Sequence, residues 1–153
     1  EREKERIERE NAVYFLDQYL TFTEKIKEAI NKFNWHYSLT GRKPKFNLES
    51  FDPIFHVNEA NKYLSLAKRH LERFEFLFVQ FPEEYDLLDP SVYIYETYKK
   101  QLDLCTEIKE ELFDGSGKWE VKKIDYSLIT NNDILTKYHI DIINFFYQVI
   151  QKK

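Results

Sequence analysis

The 153-residue sequence has no methionine, a single cysteine, three glycines and four prolines. One cysteine, Cys105, rules out an internal disulfide, and no Asn-x-Ser/Thr acceptor occurs; both point to a reducing, cytoplasmic setting. So few Gly and Pro cannot supply the turn that an all-β sandwich or barrel needs roughly every 8–12 residues. No run approaches the about 18 apolar residues of a membrane span, and signal-peptide and lipidation patterns are missing. Positive charge is not in excess either. A net charge of −4 lacks the concentrated basic field that broad phosphate-backbone binding requires, which argues against a nucleic-acid partner. The missing initiator residue leads to the expectation of the soluble part of a longer protein, tethered through an N-terminal segment, a membrane helix for example.

What is present fits a soluble domain: 42% hydrophobic, 33% charged and 17% aromatic residues, the last implying a core of Phe and Tyr rings. The wealth of Lys, Asn, Ile, Tyr and Phe is read as a compositional bias of a microbial source. Val57, Ala60, Leu64, Ala67, Leu71, Phe74, Phe78 and Phe81 recur at 3,4 spacing, the stripe of an amphipathic helix that starts at Asp52-Pro53 and stops at Pro82. A second helix is announced by Asp89-Pro90, carries Tyr95, Tyr98, Leu102, Cys105, Ile108 and Leu112, and ends before Gly115. The last starts near Thr130, where Thr130 and Asp133 resemble a capping box, and runs Leu135, Tyr138, Ile142, Phe145, Val149, widened by Ile143, Phe146 and Ile150. The first holds Ala12, Phe15, Tyr19, Phe22, Ile26, Ile30 and Phe33 on one face.

The expected helices are thus about 5–36, 53–81, 90–114 and 130–151. Four long helices, each with one apolar face, pool those faces most simply as an all-α, antiparallel up-down-up-down four-helix bundle. Residues 1–11 form a charged helical connector and 12–153 a single domain. The first ten residues hold five acidic and four basic side chains, with Glu1–Lys4, Glu3–Arg6 and Glu5–Arg9 at helical spacing, so they read as a self-paired helix. The segment 114–129, with Trp119, Val121, Ile124 and Tyr126, reads as an extended strap.

Chemical motifs are sparse. Asp103, Glu107, Glu110 and Asp114 lie along one line of their helix, but no Glu-x-x-His accompanies them, so a solvated face is expected rather than a di-metal site. His36, His56, His70 and His139 show no pair spaced for one helix face, and His139 and Asp141 point to different sides. The Arg-to-His spacing that marks the HEPN ribonucleases, another class of helical bundle, is not met, since Arg69 and His70 are adjacent. Cys105 belongs to an apolar stripe. No metal set, cofactor motif or catalytic residue is therefore expected.

Two surfaces stand out. The stretch NWHYSLTGRKPKF puts Trp35, His36 and Tyr37 beside Arg42, Lys43 and Lys45 in a loop, a pairing of rings and cations suited to an anionic ligand. Residues 12–22 are apolar round nearly the whole helix, leaving Val13 and Leu20 as candidates for self-association. The function expected is a non-catalytic interaction or sensing domain with a protein partner or a second copy. The alternatives are a helical effector enzyme, nuclease-like for instance, with a dispersed site, or a ligand-sensor bundle using Tyr95, Tyr98 and Tyr138.

Overall fold

The 3,4 series beginning at Val57 is buried at every position from Val57 to Phe78, as a helix with one face in a core requires. The computed structural model describes residues 2–40, 53–112 and 125–152, with the side chains of 40, 53–54 and 108–112 excluded. Among these residues the protein is all-helical. α1 spans Arg2–Thr40, α2 Pro53–Phe78, α3 Leu88–Leu112, α4 Ser127–Thr130 and α5 Asp133–Gln151, with a 3-10 turn at Glu83–Tyr85. No helix among them is long and apolar enough to cross a membrane.

α1 and α2 make the most extensive contact; α1 also packs on α5, and α3 packs on α2, α4 and α5. One core joins them, with Tyr19, Phe33, Phe74, Tyr98 and Phe146 its largest fully enclosed side chains. Phe15 of α1 lies 5.1 Å, ring to ring, from Phe81 and 6.2 Å from Phe146, while Tyr85 packs 4.8 Å from Phe145. Such tilted and edge-on ring pairs favour opposed quadrupoles and add to the area each ring buries.

The helix boundaries differ from the expectation, first at α1, which begins at Arg2 rather than near residue 5. α1 runs to Thr40, so Trp35, His36 and Tyr37 are helical instead of lying in a loop. His36 and Tyr37 extend the buried series from Phe33, and their packing holds the last turns. α2 ends at Phe78, three residues early. Gln80 and Phe81 donate to Leu77 and Phe78 carbonyls in 3-10 fashion, because the residue before Pro82 is driven out of the helical region. α3 begins at Leu88, with Asp89 and Pro90 inside its first turn, where a missing N–H costs nothing. Finally, Thr130 does not cap the last helix. The chain breaks at Asn131, and the Asn132 side chain accepts from the Leu135 N–H at 3.0 Å, satisfying an otherwise orphaned donor.

Residues 2–10 are helical and, apart from half-buried Arg9, exposed, with Arg6 bridging Glu3 and Glu10. The Arg9 guanidinium reaches the Lys152 carbonyl at 3.4 Å. Ala12 is fully enclosed and marks where α1 enters the core.

Candidate binding surfaces

Where the end of α1 meets the start of α2, two histidines face each other. His36 Nδ1 lies 3.0 Å from His56 Nδ1, within hydrogen-bond distance. Tyr63 stacks on the His36 ring at 5.6 Å and 11°. Trp35 stands edge-on to His36 at 4.8 Å and to His56 at 6.0 Å, and Phe55 approaches the same two rings at 6.2 and 5.3 Å. Lys32, paired with Glu28 at 3.1 Å, sits 5.1 Å above Tyr63. Burial, then the neighbouring His56, holds His36 below the usual histidine range; Glu59 opposes this and Lys32 adds to it.

The surface read from the sequence is therefore only partly assembled. Trp35 is 58% exposed, but His36 is nearly buried and Tyr37 is enclosed, stacked on Phe33 at 5.8 Å. Tyr37 belongs to the core and cannot stack on a ligand. Arg42, Lys43 and Lys45 lie outside the described residues. The structure instead adds His56, Phe55 and Tyr63, which come from the opposite helix.

A second surface lies on the outside of α1 and α2. Tyr14, Gln18 and Phe22 of α1, Glu72, Arg73, Phe76 and Leu77 of α2, and Gln80 just beyond it line a groove of about 280 Å³. Phe76 is 71% exposed and Tyr14 55%, with exposed Val79 following on the same chain segment. Phe76 stands two residues from enclosed Phe74, so it points away from the stripe that fills the core. The sequence signal was the run FEFLFVQF, which, like residues 12–22, is too apolar for one face.

Of the self-association candidates, Val13 is 51% exposed and lines a shallow depression with Arg6, Arg9, Glu10 and Ile150. Leu20 is not free: it is half-buried and packs against the core, next to Tyr19, which meets Phe74 of α2 and His139 of α5.

The remaining chemistry is dispersed. Among the described residues no three His, Cys, Asp or Glu side chains converge to hold a metal ion. Asp103 and Glu107 are exposed; the side chains of Glu110 and Asp114 lie outside the described residues. Cys105 is enclosed and burial pushes its thiol up to about 11, the opposite of a reactive thiolate. Asp141 pairs with Lys137 at 3.2 Å, whereas His139 meets the Tyr19 hydroxyl at 2.7 Å. Tyr98 is in the core, Tyr95 packs on Phe78 and Tyr138 on Tyr93. Of the expected strap, Trp119, Val121 and Ile124 lie outside the described residues, and Tyr126 packs against the core.

Comparison with protein-family models, curated proteins and solved structures gave no match. The functional reading rests on the residues of this chain.

Proposed function

We propose that the chain is a non-catalytic helical interaction domain, built as an antiparallel up-down-up-down four-helix bundle, that associates with a second copy through the outer groove of α1 and α2. The ring contacts that support the topology run in opposite chain directions: Phe15 meets Phe81 while Trp35 meets His56, Phe78 meets Tyr95 across the short α2–α3 connection, and Tyr85 meets Phe145 while Tyr93 meets Tyr138.

The observation that carries the interaction reading is Phe76, a phenyl ring left 71% in water beside Tyr14 in a groove. Aromatic rings of this kind are the usual anchors of interfaces, where burial recovers roughly 25 cal/mol per Å² of apolar surface. The groove also carries Glu72 and Arg73 side by side. A two-fold axis passing between these two side chains brings Glu72 of one copy to Arg73 of the other, the arrangement proposed for the dimer. Val13 and Ile150, on the α1–α5 side, form the competing apolar surface. No observation among the described residues favours an effector enzyme or a ligand sensor.

Sedimentation velocity over a range of protein concentrations tests this reading. The parent should gain mass with concentration, and Phe76→Ser combined with Tyr14→Ser should stay monomeric while keeping its helical circular dichroism. If Val13→Ser abolishes the association instead, the interface is the α1–α5 surface and the groove assignment is wrong.

A further inference from the structure

The His36–His56 pair has a geometry suited to one proton and no more. The Nδ1 atoms are 3.0 Å apart and the ring centroids 5.3 Å apart, a difference just taken up by the two ring radii. Both nitrogens therefore lie close to the line joining the rings, each pointing straight at the other. A metal at the usual imidazole distance of about 2.0–2.1 Å would have to sit off that line, where neither lone pair points. The gap instead suits an N–H···N hydrogen bond, in which one imidazole donates from Nδ1 and the other accepts with a bare Nδ1 and carries its own hydrogen on Nε2.

Counting hydrogens in that gap gives the consequence. A neutral pair places one there. A singly protonated pair also places one there, because the added proton resides on an outward-facing Nε2. A doubly protonated pair places two there, with no acceptor left and two positive rings in contact.

We propose that His36 and His56 form a proton-operated latch fastening the C-terminal end of α1 to the N-terminal end of α2, closed until the pair takes up its second proton. The latch is shielded by Trp35 and Phe55 edges and the Tyr63 face. The charged groups acting on His36 from the two helices are Lys32 on α1, which resists protonation, and Glu59 on α2, which favours it; Lys62 lies over the outer part of the cluster, 5.7 Å from the Tyr63 ring. The closed pair binds fewer protons than the opened one, so acidification drives opening. Opening releases the last turns of α1, uncovering Tyr37 and Val57, both now enclosed.

Imidazole nitrogen NMR on the full chain, between about pH 8 and pH 5 where histidine changes charge, tests the latch. At neutral pH the two rings should hold complementary tautomers, one protonated at Nδ1 and one at Nε2. At the second step, amide signals around 35–40 and 55–60 should shift while those of α3 and α5 hold. The double variant His36→Phe, His56→Phe, which keeps rings in place without titration, should lose that local step. Two rings with the same tautomer titrating independently would overturn the proposal. So would ends that stay joined when both rings are charged, or amide changes in all helices at once.

Discussion

The Tyr19 hydroxyl lies 2.7 Å from His139 Nδ1, tying α1 to α5 at a point where the tyrosine is fully enclosed. Burial, with Tyr98 nearby, pushes the Tyr19 phenol up; burial, with Lys27, pushes the His139 imidazole down. Both effects favour a neutral pair in which the phenol O–H donates to Nδ1. Tyr19→Phe removes the donor and leaves a part-buried nitrogen unsatisfied, so it should cost about 1–2 kcal/mol. Urea unfolding measures this, and a loss near zero would show that water replaces the phenol at Nδ1.

Phe74 and Phe76 stand two positions apart with opposite environments, one enclosed and one largely in solvent. Phe74→Ala should destabilise by about 3–5 kcal/mol through lost burial and the cavity left behind. Phe76→Ser should change stability by no more than about 0.5 kcal/mol. Equal costs in denaturant unfolding would mean that the assigned face of α2 is wrong.

Asn132 caps α5 and also bonds outside it. Its amide accepts from Leu135 N–H at 3.0 Å and donates to the Leu128 carbonyl at 3.0 Å and the Tyr93 hydroxyl at 3.1 Å. Asn132→Ala should therefore cost about 1–2 kcal/mol. Thr130→Ala should cost less, since the Thr130 hydroxyl bonds back to the Tyr126 carbonyl within its own turn. A larger loss at Thr130 in thermal unfolding would reverse the assignment of the cap.

His36, His70 and His139 are all held below the usual histidine range, burial being the first cause in each. The unfolded chain then binds more protons than the folded one below the ordinary histidine value of about 6.5. Stability should be fully present above that value and decline as pH falls through it. Urea midpoints measured on either side of about pH 6.5 check the sign; a midpoint that rises on acidification would refute it.

The helical class and the enclosed face of α2 were legible in the sequence, because a 3,4 repeat of apolar residues has only one way to face a core. Other features were not, for separate physical reasons. Phe76 belongs to a run with apolar residues on every side, so periodicity alone does not say which ring stays outside. His36 and His56 are twenty positions apart, and only the docking of α1 on α2 brings them together; spacing rules see pairs on one helix. At the start of α5 two capping patterns overlap. The Asn132 one prevails because the same amide also meets Tyr93 on α3, a tertiary bond. Gln101, Ser91 and Thr23 are polar yet enclosed; Thr23 settles its hydroxyl on the Tyr19 carbonyl at 2.9 Å, a local bond that polarity scales do not register.

The exposed ring of Phe76 beside Tyr14 makes self-association the property to measure first. Sedimentation velocity of the parent and of the Tyr14→Ser, Phe76→Ser double variant, each across a wide concentration range, tests it most directly. The expected result is a dimer that forms with concentration in the parent and is lost in the variant, with helicity unchanged. A parent that remains strictly monomeric at the highest concentration, or a variant that dimerises as well as the parent, would contradict it.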